Sequence, residues 1–252
     1  MASLQGKHAL VTGGGRGIGR AIAMALSQAG AAVTVAGRNE KPLAEVVGQG
    51  EANGYVVADV TDAKAVESGV RQAVAARGPF DLLIANAGTA TAVPFAKATP
   101  AQFQDMFNVH VLGMLHPLQA VLGGMIQRGF GRVVAVASIV SLRAGPNISP
   151  YVTAKHAMLG LVRSAALDTA GSGVTVNAVC PGYVETDLIR APMQQMVDKG
   201  TSRDDALARF TARVPVGRLI QPAEVAEAVL YFCSPTAAAT TGSTLVIGAE
   251  TP

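Results

Sequence analysis

Tyr151 and Lys155 have the clearest chemical potential in this sequence: two polar residues four apart in an otherwise apolar, helix-forming run, Tyr151 to Leu167. That spacing puts both side chains on one helix face, one turn apart. A free phenol titrates near roughly pH 10 and is a poor acid or base at neutral pH. An ammonium one turn away favours the phenolate and is expected to lower that pKa. A phenol tuned in this way can pass a proton to or from a substrate oxygen. The plain alternative is a solvated helix face, so the surrounding chain has to decide. Ser138 follows the apolar run Arg132–Ala137, at the strand end where open α/β sheets bind ligands, with Ser141 a nearby alternative. Asn108 falls in the middle of an apolar helix predicted from Thr99 to Arg128, where its polar group needs a partner or a function.

The elements that would position these residues can be read in order. The strand His8–Thr12 runs into a glycine-rich turn, Gly13 to Gly19, and then into a helix, Arg20–Ala29. Strand, glycine turn, helix is the context a dinucleotide-binding loop requires, with the helix N-terminus facing the pyrophosphate. The spacing is TGxxxGxG, with glycines at Gly13, Gly17 and Gly19, and with Gly15, Arg16 and Ile18 between them. The second strand, Ala32–Ala36, ends in Gly37-Arg38-Asn39, where an NAD-specific site would place a carboxylate for the ribose. Arg38, with Arg16 as a second clamp, suits a 2′-phosphate, so NADP(H) is preferred over NAD(H); two solvated loop arginines are the alternative.

A weak helix, Lys41 to Asn53, leads to the strand Tyr55–Ala58, which ends at Asp59-Val60. Asp59 would accept from an adenine amino group or, equally, cap a turn. Thr61-Asp62 caps a helix to Ala76. The strand Asp81–Ala85 opens into Asn86-Ala87-Gly88, small and suited to close approach by a flat ligand. Thr99, Pro100 and Gln102 form a helix start. The helix that follows is apolar on several faces, and should meet the sheet on one side and a subunit partner on the other. The helix from Tyr151 stops at Gly171-Ser-Gly173 and is followed by the strand Val174–Val179. Residues 183–220 break the rhythm and read as an irregular substrate lid, or alternatively as a surface helix pair. A helix from Pro222 to Cys233 and a strand Ser243–Ile247 close the chain. Seven strands alternating with helices, joined by right-handed crossovers, predict one domain over 1–252: an α/β, seven-stranded, doubly wound parallel sheet with helices on both faces.

Composition is consistent with this. Of 252 residues half are hydrophobic and only 15% charged, with 28 Gly and a net charge of +3, which excludes disorder. Scattered Arg and Lys give no nucleic-acid stripe. Cys180 and Cys233 suggest no disulfide framework. His8, His110, His116 and His156 have no ligand spacing, so no metal is expected. No secretory segment and no apolar run able to cross a bilayer are evident, so a soluble cytoplasmic protein is expected.

Taken together, Thr12 to Gly19, Asp59, Asn86-Ala87-Gly88, Asn108, Ser138, Tyr151-Val-Thr-Ala-Lys155, Pro181-Gly182 and Thr186 resemble the classical short-chain dehydrogenase/reductase family, with its Rossmann fold, over about 250 residues. The resemblance implies that Tyr151 is general acid in reduction and base in oxidation. Lys155 would lower its pKa and hold the nicotinamide ribose, Ser138 would bond the substrate carbonyl, and Asn108 would hold a water in a relay to Lys155. It further implies cofactor contacts from Val60, Pro181, Gly182, Val184 and Thr186, substrate contacts from Val140 and Tyr183, and a homotetramer. The flavour is closest to 3-oxoacyl-[acyl-carrier-protein] reductases, acting on a ketone or acyl thioester. An NAD-dependent 3-hydroxy acid or 3-hydroxyacyl-CoA dehydrogenase, with Arg143 meeting a carboxylate, is the alternative enzyme. A non-catalytic nucleotide sensor is the alternative of another class. The tail from Gly248 to Pro252 departs from the Gly-Gly pair common in relatives.

Overall fold

A computed structural model describes residues 3–212 and 214–248. Its strands are β1 (His8–Thr12), β2 (Ala32–Gly37), β3 (Gly54–Val57), β4 (Leu82–Ala85), β5 (Gly131–Val136), β6 (Val174–Pro181) and β7 (Thr244–Ile247). They pair, all in parallel, in the order β3-β2-β1-β4-β5-β6-β7. Strand order reverses between β1 and β4, so the crevice beyond their carboxyl ends is the expected ligand site. Every residue of β1, β4, β5 and β6 is buried, whereas the edge strands β3 and β7 are half open. Parallel strands covered on both faces read as continuous apolar runs, which is why the central ones were plain in the sequence.

The helices divide between the two faces according to strand alternation. Val11, Ile84 and Val134 point to one side, where they pack with Ile22 and Leu26 of α1 (Gly17–Gln28), Leu43 of α2 (Glu40–Gly48), and residues of a C-terminal helix, Pro222–Cys233. Leu10, Leu83 and Val133 point to the other. There they meet Val66 and Val70 of α3 (Ala63–Arg77), Met114 and Leu118 of α5 (Gly113–Gln127), and Met158 and Val162 of α6 (Ser149–Asp168).

Several boundaries moved. α1 starts at Gly17, three residues before the expected Arg20, so the glycine turn itself forms the first helical turn. α2 stops at Gly48 instead of Asn53: Gly50, at φ 74°, reverses the chain, and the Asn53 side chain accepts from Val33 N at 2.8 Å. The predicted helix over 99–128 is three pieces: α4 (Pro100–Phe107), a π turn (Asn108–Leu112) and α5. Thr99 and Gln102 do form the predicted capping box, and Asp62 caps α3. Contrary to the sequence reading, the 28-residue stretch Pro100–Gln127 is long and apolar enough to cross a bilayer, an 18-residue window in it reaching a mean hydropathy of 1.4. Its inner residues Met114, Leu118, Val121 and Met125 belong to the sheet core instead. Residues 183–220 hold a helix pair, α7 (Asp187–Asp198) and α8 (Arg203–Thr211), and the Pro222–Cys233 helix is α9. The departure expected after Gly248 lies outside the described residues.

Candidate active site

β5 and α6 bring the central group together. Ser138 leaves β5 and caps a single 3₁₀ turn, Ile139–Ser141. Its Oγ accepts from Val140 N at 3.3 Å, and its own N–H donates to Ser141 Oγ at 3.2 Å. Buried Ser141 is therefore the support and Ser138 the presented hydroxyl. α6 then places Tyr151 in its first turn and Lys155 one turn on. The Lys155 ammonium, only 4% exposed, donates to Val136 O at 2.9 Å and lies 5.7 Å from the Tyr151 ring centre.

One expectation is overturned here. Lys155 does not hold the phenol below its ordinary value; burial pushes Tyr151 up to about 12, and the Ser138 hydroxyl facing it offsets that only partly. Burial also pulls the Lys155 ammonium down to about 8. Taking either charged form out of water costs more than the neighbour returns. At neutral pH the site accordingly presents a protonated phenol. Behind it Cys180 is buried and free, its thiol pushed up to about 11 by the same burial.

Asn108 opens the π turn, which accounts for an Asn in the middle of an apolar helix. A π turn is rare, weaker than α-helix, and frequent at functional sites. The Asn108 side chain accepts from Gln104 Nε2 at 2.7 Å. The same π turn delivers His110, buried against the Tyr151 ring.

The glycine loop fits a dinucleotide. A Cβ on Gly13 would lie 2.9 Å from Ala87 Cα, so only glycine permits loop and 86–88 turn to meet; its φ of 65° has the same requirement. α1 begins without a side-chain cap, in contrast to α3 and α4, leaving first-turn N–H groups for an anion. Thr12, not among the expected site residues, ties the two strands here: its hydroxyl accepts from Asn86 N at 3.0 Å and Ala87 N at 3.1 Å. Asn86 returns the bond through Nδ2 to Thr12 O at 2.9 Å.

Of the other expected cofactor residues, Thr186 is brought against the loop, 3.3 Å from where a Gly17 Cβ would be. Pro181 ends β6 and Gly182 N bonds Ile247 O, fixing the crevice floor. Asp59 caps its turn, accepting from Thr61 N at 2.9 Å, while its second oxygen faces Arg38 at 3.9 Å. The Arg38 side chain is 71% exposed, and Arg16 is exposed as well. Val60 and Val184 turn their side chains into the core, leaving only backbone for a ligand, and the Val60 carbonyl already takes His116 Nδ1. Tyr183 meets Phe210 edge-on at 5.5 Å, and Val140 stays half-buried beside Ser138. A cleft of about 730 Å³ between α7 and α8, lined by Arg190, Met193, Val197, Arg203, Leu207 and Arg218, does not include Ser138 or Tyr151.

This combination of fold and residues agrees with known proteins over the whole chain. A family profile described as Enoyl-(Acyl carrier protein) reductase matches residues 13–249. The acetoacetyl-CoA reductase of Rhizobium meliloti is 36% identical, covering 94% of this chain and 95% of its own. The 3-oxoacyl-[acyl-carrier-protein] reductase of Vibrio harveyi is 36% identical over 96% of both. The crystal structure of an actinorhodin polyketide ketoreductase variant with NADPH superposes with a TM-score of 0.91 at 36% identity, covering 99% of this chain and 98% of that one. The chain belongs to the classical short-chain dehydrogenase/reductase family. It is an oxidoreductase interconverting a secondary alcohol and a ketone with a nicotinamide cofactor.

Proposed function

We propose that the protein is an NADPH-dependent 3-oxoacyl thioester reductase, soluble, cytoplasmic and homotetrameric. The observation that carries the reductive direction is the protonated, half-buried Tyr151 phenol facing Ser138, with the buried Lys155 ammonium one helix turn on. The relatives named as acetoacetyl-CoA and 3-oxoacyl-[acyl-carrier-protein] reductases support the thioester. Exposed Phe107 and Ile126 on the outer side of the 100–127 helix support a subunit contact.

The glycine loop, Arg16, Arg38, Asp59, Asn86 to Gly88 and Thr186 would hold the cofactor, which when bound supplies the hydride. Ser138 donates to the ketone oxygen and stabilises the charge that develops there. Tyr151 gives that oxygen its proton. Lys155 steadies the phenolate so formed and, through Asn108, draws a replacement proton toward it. Lys155 also orients the ribose. Tyr183 and Val140 shape the substrate side.

Arg38→Ala tests the cofactor reading. NADPH affinity should fall about tenfold or more, the loss of a charge-assisted contact, while NADH affinity changes little. Fluorescence titration with each cofactor reads this, and equal losses would remove the 2′-phosphate clamp. Turnover with 3-oxoacyl thioesters of CoA and of carrier protein should exceed that with free 3-oxo acids; a preference for the free acids would overturn the substrate assignment.

A further inference from the structure

His110 has no place in the roles above, yet it is 1% exposed and central to the site. Its Nε2 lies 2.7 Å from Thr89 O. A carbonyl only accepts, so Nε2 carries the hydrogen and Nδ1 keeps a lone pair. That Nδ1 is buried without any partner. The ring meets the Tyr151 ring edge-on, centres 5.3 Å apart and planes at 71°. A Cβ on Gly88 would stand 2.7 Å from the imidazole Cε1, so Gly88 leaves room for this ring. Lys155 is the charged group that faces it, and burial together with that ammonium holds the imidazole neutral, its pKa pulled down to about 3.

A packing residue alone would be better served by Phe or Leu, neither of which buries an unpaired polar atom. His110 also sits inside the π turn, a local arrangement weaker than the α-helix around it. Two costs are thus retained at one point, between the turn that flanks the cofactor and the phenol that moves the proton. Such retained costs gather at functional sites.

We infer that His110 is a positioning residue: a neutral imidazole that sets the plane of the Tyr151 ring by edge contact and, through Thr89 O, locks that ring to the Asn86–Gly88 turn. The inference rests on Tyr151 being the proton donor. Aromatic edge contact fixes ring orientation, and the hydrogen bond fixes the turn, so the two functions are separable.

Two variants divide them. His110→Phe keeps the ring contact and loses the bond to Thr89 O; NADPH affinity should weaken several-fold with kcat nearly kept. His110→Gln keeps an amide donor for Thr89 O and loses the aromatic edge; kcat should fall about tenfold, in the range of a misaligned reacting group, with NADPH affinity nearly kept. The alkaline midpoint of kcat/KM for reduction should move in the Gln variant and stay put in the Phe variant. Near-native kcat, NADPH affinity and pH midpoint in both variants would overturn the inference, as would equal losses of all three in both, the mark of a general packing defect. Tyr151→Phe run alongside keeps the two readings apart: retained turnover there removes the proton donor itself, whereas lost turnover with unaffected His110 variants removes only His110.

Discussion

α6 and the α7–α8 pair are built on opposite terms. α6 buries eight residues, among them Lys155, and is held to the sheet through Met158, Leu159 and Val162. α7 buries none and α8 only Ala206. The side chains proposed to move the proton therefore stand on a helix anchored in the core, where a small displacement is costly. The segment that would choose the substrate stands on helices with few native contacts, which open at low free energy and tolerate change. On the proposed reading, chemistry and selectivity are separated by how much core each element owns.

The comparison breaks most sharply at Tyr151. Tyr151→Phe removes one hydroxyl and no packing, and should lower kcat about 10²–10⁴-fold while cofactor titration and thermal midpoint stay close to the parent. Turnover within a few-fold of the parent would mean that the packed helix does not carry the chemistry. A smaller effect separates the two directions. Because burial raises the Tyr151 phenol toward 12, phenolate is scarce at neutral pH and grows with pH. Alcohol oxidation should then rise by up to about tenfold per unit between pH 6 and 8, and ketone reduction should not. Above about 8 the Lys155 ammonium begins to neutralise and the rise should flatten. Initial rates in both directions measure this; parallel profiles would show that the phenol is not raised. The smallest effect belongs to the α7–α8 pair. Phe210→Ala removes the edge contact to Tyr183, worth about 0.5–1.5 kcal/mol, and should shift kcat/KM among acyl chain lengths by less than about tenfold with cofactor affinity unchanged. A large drop for every substrate alike would place α8 in the catalytic machinery.

The sequence was most legible where burial leaves a pattern. The central strands are apolar throughout because both faces are covered, and Tyr151 and Lys155 share a helix face by arithmetic alone. Residues 183–220 were read as an irregular lid, with a surface helix pair as the alternative, because Pro192 stands inside α7 and neither helix sinks a face into the sheet core. The depression expected of Tyr151 failed for a different reason: spacing reports that an ammonium is near, but not that burial acts on both groups at once. His110 was missed because its partner, Thr89 O, is brought close only by the fold, and Thr12, read as the first letter of the glycine motif, meets the Asn86 and Ala87 amides for the same reason.

The π turn at 108–112 has a consequence for how this helix can change. A wide turn accommodates one residue more than an α-helix needs, and each residue of an α-helix advances the azimuth by about 100°. The side chains of α5 are thus out of phase with those of α4, as though one letter had been slipped into the helix between them. Met106 keeps its seat on one side of that slip, and Met114, Leu118 and Met125 keep theirs on the other. Losing the extra letter would tidy the hydrogen bonding and turn the whole of α5 off the sheet. A locally imperfect turn is in this way anchored by the fifteen residues downstream of it.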